Sequence, residues 1–180
     1  MKTSHIFRAL GLLAAGALSQ TASLSAAPAE KPTTRVEVNF FEPQRFTDVG
    51  DRYNDTERNR EYILGELRKY LQERAQSYVP EGQTLAVTIT DVDLAGEFEP
   101  WRGASATDVR IVKEIYPPRM KLSFRLTNAN GDVLKQGERE LTNLNFLMTA
   151  PPTFMNDPYR HDKALIDNWL RSEFRSESKS

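Results

Sequence analysis

The stretch Thr90–Trp101, with the sequence TDVDLAGEFEPW, carries a dense set of acidic side chains that could do chemistry. These carboxylates are Asp91, Asp93, Glu97 and Glu99. Hard cations such as calcium prefer oxygen ligands, and two carboxylates can also act as the acid and base of glycoside hydrolysis. The spacing lacks the glycine and the final glutamate of a helix–loop–helix calcium loop, so neither chemistry is specifically indicated.

The strand that precedes these carboxylates decides where they point. Uninterrupted alternation after Ile89 would bring Asp91 and Asp93 to the core face, where unpaired carboxylates are unfavourable. Either the strand runs beyond the helix layer, or a bulge near Asp91 turns Val92 and Leu94 inward and both aspartates outward. The apolar character of Val92 and Leu94 favours the bulge. Asp91 and Asp93 stay candidate metal ligands, beside a structural interpretation in which they pair with Arg102, Arg110 or Arg119.

Outside the first 27 residues the chain has a single histidine, His161. One imidazole without any cysteine excludes ordinary structural zinc and Cys–His nucleophilic sites. Met148 and Met155 could bind copper(I) together with His161. The alternation of Leu144, Phe146 and Met148 instead predicts a core segment, and His161 is equally compatible with a capping or surface role.

Aromatic side chains could line a groove for a ligand. They are Trp101, Tyr116, Tyr159 and Trp169. Aromatic residues at the ends of strands and helices more often form the edge of a core. We keep Trp101 and His161, with the four carboxylates of the acidic stretch, as candidate ligand-binding residues.

The N-terminus has the pattern of a secretory signal peptide. Lys2 and Arg8 form a basic region, Ala9–Ser19 is apolar, and small residues follow. The predicted organisation is a signal peptide (1–27), a flexible leader (28–34), one domain (35–175) and a disordered tail (176–180). The apolar run is too short to span a bilayer, so we expect a soluble periplasmic protein without stable membrane insertion.

Composition excludes several classes of function. The 180 residues contain no cysteine, so the chain has neither disulfides nor a cysteine for lipid attachment. Cleavage after residue 27 would change the formal net charge from −1 to −3, and this mixed, nearly neutral charge argues against nucleic-acid binding. Glycines are scattered rather than gathered in a phosphate-binding loop, and we expect no cofactor.

Hydrophobic periodicity predicts the elements that must position these residues. The predicted strands are Arg35–Phe41, Gln83–Thr90, Val109–Tyr116, Arg119–Asn128 and Val133–Leu141, and the predicted helices are Asp55–Tyr78, capped by Asp55, and Tyr159–Phe174. Asn-Gly in Asn128–Asp132 predicts a tight hairpin. The fold class is therefore α+β: a two-layer domain with a mixed, mostly antiparallel sheet of four to five strands and two helices on one face. The first two strands should lie parallel, joined by a right-handed crossover.

Several stretches together resemble a family of exported proteobacterial proteins catalogued as domain of unknown function 3016. They are Gly82–Trp101, Asp108–Met120, Leu144–Leu147 and Asp157–Phe174, within a likeness that runs from Val36 to Phe174. The resemblance implies a Gram-negative envelope protein in the periplasm. It implies no reaction, ligand or catalytic residue.

The sequence favours a non-catalytic binding or accessory protein of the cell envelope, with an envelope protein or a small ligand as partner. An alternative is a metal- or small-ligand-binding module that uses Asp91–Glu99. A third interpretation is a carboxylate-based hydrolase. A Ser-His-Asp triad is disfavoured because neither Ser105 nor Ser123 lies in a nucleophile elbow.

Overall fold

The computed structural model describes residues 35–50, 56–102, 109–149 and 156–175. The strands are β1 (Val36–Phe40), β2 (Thr84–Asp93), β3 (Glu97–Phe98), β4 (Arg110–Ile111), β5 (Arg119–Thr127) and β6 (Val133–Thr142). The helices are α1 (Glu57–Ala75), α2 (Phe146–Thr149) and α3 (Arg160–Phe174), with 3-10 turns at Pro43–Arg45 and Pro100–Arg102. The predicted signal peptide, leader and tail lie outside the described residues. In the described ranges, no helix has the length and apolar character needed to cross a membrane.

The main sheet has four strands in the order β1-β2-β5-β6 among the described residues. β1 pairs parallel with β2, Val36 opposite Leu85 and Phe40 opposite Ile89, which confirms the predicted crossover through α1. The β2–β5 and β5–β6 pairs are antiparallel. The predicted α+β class is therefore confirmed, with β3 and β4 forming a separate two-stranded ribbon.

The predicted hairpin joins β5 to β6. The Asn128 side-chain oxygen accepts hydrogen bonds from the backbone N–H groups of Asn130 and Asp132, both at 2.9 Å. Gly131 has φ of 88°, a conformation that glycine adopts without the steric cost met by other residues. The Asn-Gly pair thus closes the turn in the way that its sequence indicated.

Helices α1 and α3 cover one face of the sheet and form the core with it. The buried side chains of α1 are Ile63, Leu64, Leu67, Leu71 and Ala75, at the three- and four-residue spacing of one helical face. Trp169 of α3 packs edge-on against Phe124 of β5, with ring centroids 5.8 Å apart. Thr56, rather than the predicted Asp55, is the N-cap of α1, because its hydroxyl accepts the Asn59 N–H at 3.2 Å.

The end of β2 contains the predicted bulge. The pairing with β5 shifts register between Ile89 and Asp91. Beyond it, Val92 and Leu94 are buried, at 1% and 3% exposed. Asp91 and Asp93 are only half-buried. The bulge therefore keeps both carboxylates out of the core, while Val92 and Leu94 extend the apolar face of β2. This confirms the interpretation based on strand phase.

Two predicted segments differ in the structure. Within the predicted strand Val109–Tyr116, only Arg110 and Ile111 are in β-structure, because their partner β3 is itself two residues long. The predicted core alternation at Leu144, Phe146 and Met148 is wrong. Phe146 is buried, but Leu144 and Met148 are 70% and 89% exposed, since the chain turns into α2 and loses the two-residue period.

Candidate functional site

The aspartates of the acidic stretch tie β2 to the segment that follows β1 and to β5. Asp91 accepts a hydrogen bond from the Thr47 backbone N–H at 2.8 Å and one from its hydroxyl at 3.0 Å. Asp93 accepts from Arg119 Nη1 at 3.0 Å, and Arg119 is one of the predicted basic partners. Burial raises the pKa of Asp93, and the Arg119 hydrogen bond opposes that rise. Both aspartates therefore have structural roles.

The glutamates of the stretch occupy different surroundings. Glu97 Oε1 accepts from the backbone N–H of Phe98 at 2.8 Å. Glu99 is buried, and its Oε1 accepts from the ammonium of Lys113 and, at 3.1 Å, from the hydroxyl of Tyr116. Across the part of the chain that is described, no three Asp, Glu or His side chains gather closely enough to hold a metal ion. The four predicted carboxylates thus do not form one ligand cluster.

Trp101 and His161, the other two predicted site residues, lie in contrasting environments. Trp101 belongs to the 3-10 turn Pro100–Arg102 and is 70% exposed. His161 is buried in the first turn of α3, with its ring edge-on to Phe146 at 4.8 Å. Of the two, only His161 lines the cleft described below.

The hydrogen bonds of His161 define its protonation state. Its Nε2 accepts from Arg160 Nε at 3.0 Å, so the ring proton must lie on Nδ1, which donates to the Phe146 carbonyl at 3.2 Å. Burial, reinforced by the positive charge of Arg160, lowers the pKa of His161. His161 is therefore a neutral imidazole that joins α3 to α2.

A cleft of about 540 Å³ opens beside the start of α3. Its apolar lining consists of Ile63, Leu94, Ala95, Phe98, Val112 and Pro158, and its polar lining includes Asn59, Arg110, Arg160, His161 and Asp162. Small-molecule sites have this volume and this mixture of apolar walls with a few convergent polar groups. The cleft adjoins the predicted acidic stretch through Leu94, Ala95 and Phe98, but none of the four predicted carboxylates lines it.

Asp162 is the most perturbed acid of the cleft. It is 3% exposed, and its Oδ1 accepts from the Ala95 backbone N–H at 3.1 Å. Burial raises the pKa of the Asp162 carboxyl from 3.8 to about 7, and the Ala95 hydrogen bond and the charge of Arg110 only partly offset it. A carboxyl with such a pKa in a cavity is a candidate functional group.

Arg110 holds one wall of the cleft together. Its two terminal nitrogens bind both carboxylate oxygens of Asp48, and they also donate to the carbonyls of Gly96 and Gly50 at 2.9 and 3.0 Å. The guanidinium lies over the Phe98 ring, 4.6 Å from its centroid. Its hydrogen-bonding capacity is thus directed to the protein itself, and its role in the cleft is to position the β3–β4 ribbon.

A second set of contacts fixes the entry into α3. Asp157 accepts the Tyr159 backbone N–H at 2.8 Å and the Lys163 ammonium at 2.6 Å. Burial raises the pKa of Tyr159, which lies at the same edge of the cleft. These contacts hold the first turn of the helix, and with it Asp162, in place.

The lining of the cleft can recognise a ligand by shape and by charge. Its apolar walls can pack against a hydrophobic body, and the neutral imidazole and the perturbed carboxyl are polar groups that can orient it.

Sequence reasoning singled out His161 but missed Asp162 and the Asp48–Arg110 pair. Asp162 had a detectable signal: it precedes Leu165, Ile166 and Trp169 by three, four and seven residues, the spacing of the buried face of α3. Extending that face by one turn would have placed the carboxylate inside. Asp48 and Arg110 are 62 residues apart and had no comparable local signal.

Comparison with known proteins gives one match. No curated protein and no solved structure matches the chain. The family model described as "Protein of unknown function (DUF3016)" matches residues 34–172, a span that begins before β1 and ends inside α3. The chain therefore belongs to the DUF3016 family, as the resemblance in its sequence implied.

Proposed function

We propose that this protein is a non-catalytic binding protein of the bacterial cell envelope, and that the cleft beside the start of α3 is its ligand site. The observation that carries the proposal is a cleft of about 540 Å³ with apolar walls around one buried, perturbed carboxyl. Binding pockets combine these features, whereas each predicted carboxylate of Asp91–Glu99 has a separate hydrogen-bond partner and none of them lines the cleft.

The placement in the envelope is supported by the sequence. Residues 1–27 carry the basic, apolar and small-residue regions of a signal peptide. A chain without cysteine must stabilise itself by packing, and the continuous core between the sheet, α1 and α3 supplies such packing. Fractionation of a Gram-negative host that expresses the full chain tests the placement: osmotic-shock extracts should contain a product shortened by about 27 residues. A full-length product in the cytoplasmic fraction would contradict it.

A fragment screen tests the ligand site. The exported protein, labelled with ¹⁵N, is titrated with small aromatic and aliphatic fragments, and its amide shifts are followed by NMR. Fragments that bind should shift the amides of Ala95, Phe98 and Asp162, which line the cleft. They should leave Thr88 and Arg125, on the uncovered face of the sheet, unchanged.

A pair of matched variants locates the binding. Val112 lines the cleft and is 38% exposed, so Val112→Trp should narrow the cleft without opening a cavity in the core. Val133→Trp places the same side chain at an exposed valine of β6, away from the cleft. Binding should weaken at least tenfold in the first variant and stay unchanged in the second. Equal binding by both variants would contradict the assignment of the site.

A further inference from the structure

Among the buried carboxylates of the described residues, Asp162 alone has no cation in contact. Buried Asp167 pairs with Arg74 at 2.9 Å and buried Glu99 with Lys113, and the half-buried Glu173 pairs with both Lys135 and Arg139 at 2.7 Å. Within the described residues, the hydrogen bond that another residue gives to Asp162 comes from the neutral N–H of Ala95, and Asp162 forms no ion pair there.

This contrast between Asp162 and the paired acids is important, because burying a carboxylate without a cation lowers the stability of the folded protein. The other two buried acids of the described residues, Asp167 and Glu99, are each stabilised by an arginine or a lysine. Arg110, the cation whose charge acts on Asp162, directs its hydrogen bonds to Asp48, Gly96 and Gly50 instead. The carboxylate of Asp162 therefore lacks a cationic partner among the described residues, and it lines a cleft that a ligand can enter.

We infer that the cleft takes a small organic cation, an amine or guanidinium on an apolar body, whose charged head pairs with the carboxylate of Asp162. This inference rests on the proposed ligand site and adds the charge of the ligand. The apolar body would lie against Ile63, Leu94 and Phe98, which supply the hydrophobic part of the lining. The cleft volume of about 540 Å³ accommodates such a molecule.

An anion fits the same lining less well. Arg110 is already neutralised by Asp48, and His161 is a neutral imidazole that uses both ring nitrogens within the protein. Arg160 directs its Nε to that imidazole. An anion would also have to approach the carboxyl of Asp162, which it would repel or force to stay protonated.

Binding of a cation should depend on pH through Asp162. The charged or titratable groups around it come from four parts of the fold: Arg110 of β4 with its partner Asp48, Asp93 of β2, and Asp157, Tyr159, Arg160 and His161 at the start of α3. From α1, the uncharged Asn59 and Ile63 line the cleft, and Tyr62 and Glu66 act electrostatically on Tyr159. The carboxylate form, which the cation needs, increases as the pH rises through the Asp162 pKa of about 7. Affinity scales with the fraction of protein in the binding-competent form, so with a pKa of about 7 it should rise about thirtyfold between about pH 5.5 and about pH 8.5.

The experiment compares three probes of one shape. Benzylamine, benzyl alcohol and benzoate carry a positive, a neutral and a negative head on the same ring, and each is titrated into the ¹⁵N-labelled exported protein at several pH values. Benzylamine should shift the amides of Ala95 and Asp162 with an affinity that rises about thirtyfold between about pH 5.5 and about pH 8.5. Benzyl alcohol should bind more weakly and without this pH dependence.

Variants separate charge from shape. Asp162→Asn keeps the size of the side chain and an oxygen for the Ala95 N–H, but it removes the negative charge. It should bring benzylamine to the affinity of benzyl alcohol, while Glu97→Gln, outside the cleft lining, should leave both affinities unchanged. If Asp162→Asn fails to fold, the pH series on the wild-type protein decides alone.

The outcomes distinguish this inference from the proposal beneath it. Equal or tighter binding of benzyl alcohol or benzoate at the cleft amides, or a benzylamine affinity that ignores both pH and Asp162→Asn, would overturn the cation and leave the cleft as a ligand site. If no probe of any charge shifts the cleft amides, the proposed ligand site is contradicted together with the cation.

Discussion

Asp48 and Arg110 form a two-point ion pair across 62 residues of sequence: Nη1 lies 2.7 Å from one carboxylate oxygen, and Nη2 lies 2.9 Å from the other. The same guanidinium holds the carbonyls of Gly50 and Gly96, so three separate segments meet at one side chain. These segments adjoin the cleft. The pair therefore helps to attach the β3–β4 ribbon to the segment that follows β1, beside the hydrogen bonds that Leu94 and Ala95 donate to Asp48 and Asp162.

The first prediction concerns Arg110→Lys. A lysine ammonium cannot reproduce the planar fork that binds both oxygens of Asp48 together with two carbonyls. Both partners are largely buried, with side chains 19% and 21% exposed, so we expect a loss of about 1–3 kcal/mol in the free energy of unfolding. Urea denaturation measures it.

Arg45→Lys is the matched control for that substitution. Arg45 pairs with Glu42 at 2.8 Å on the surface, with side chains 75% and 42% exposed. Exposed pairs contribute little, so this variant should change stability by less than about 0.5 kcal/mol. Equal losses in the two variants would show that the Asp48–Arg110 pair has no special structural role.

The second prediction is a pH dependence of stability that originates at Asp162. Because burial raises its folded-state pKa from 3.8 to about 7, the folded protein holds a proton that the unfolded chain has released between those values. The stabilising contribution of the protonated acid is therefore complete below about pH 4 and is lost as the pH rises towards 7.

Asp162→Asn removes this dependence, since an amide does not titrate. Relative to wild type, the variant should gain roughly 2–3 kcal/mol of stability between pH 5 and pH 8, at about 1.4 kcal/mol for each unit of pKa shift. Denaturation curves of both proteins at each pH provide the difference, in which the titration of other groups largely cancels. A difference that is constant across this range would contradict the assignment.

The third prediction concerns metal ions at the acidic stretch. Asp91 is engaged by Thr47, Asp93 by Arg119, and Glu99 by Lys113 and Tyr116. A metal would have to break these contacts, so millimolar calcium, zinc or copper should leave the melting temperature within about 1 °C. An increase of several degrees that disappears in the Asp91→Asn/Asp93→Asn double variant would instead restore the metal-binding interpretation.

The sheet and its two covering helices could be predicted because the hydrophobic pattern that specifies each of them lies within a short stretch of sequence. Alternation with a period of two identified β2 and β5, and the conflict between Ile89 and Asp91 even located the bulge. The predicted strand Val109–Tyr116 failed because its pairing is set by β3, a partner of two residues with no periodic signal.

The cleft could not be predicted as a whole, because its lining comes from segments far apart in the chain. Gly50, Ile63, Leu94, Arg110 and His161 meet only after the sheet and α3 are assembled. Periodicity indicated single members of this lining, since Ile63 lies on the apolar face of α1, Leu94 follows the bulge, and the buried face of α3 points to Asp162. No local pattern indicated that these members meet.

The last prediction uses three glycines that differ in backbone conformation and in surrounding space. Gly65 lies inside α1 with nothing near its missing Cβ, so Gly65→Ala should stabilise the protein by about 0.5–1 kcal/mol. Gly131 has φ of 88° in open space, and Gly131→Ala should cost about 1–2 kcal/mol from the left-handed conformation alone.

Gly96, beside the cleft, has both a left-handed backbone conformation and no free space for a side chain. Its φ is 88°, and an added Cβ would lie 2.9 Å from the Ile111 carbonyl oxygen, a backbone atom that cannot move without opening the β3–β4 ribbon. Gly96→Ala should therefore be the most destabilising of the three, by more than about 2 kcal/mol. The order of melting temperatures should be Gly65→Ala, wild type, Gly131→Ala and Gly96→Ala, from highest to lowest. A Gly96→Ala variant as stable as Gly131→Ala would mean that the β3–β4 ribbon can shift to accommodate a methyl group at little energetic cost. The wall of the cleft that the ribbon forms would then be equally deformable.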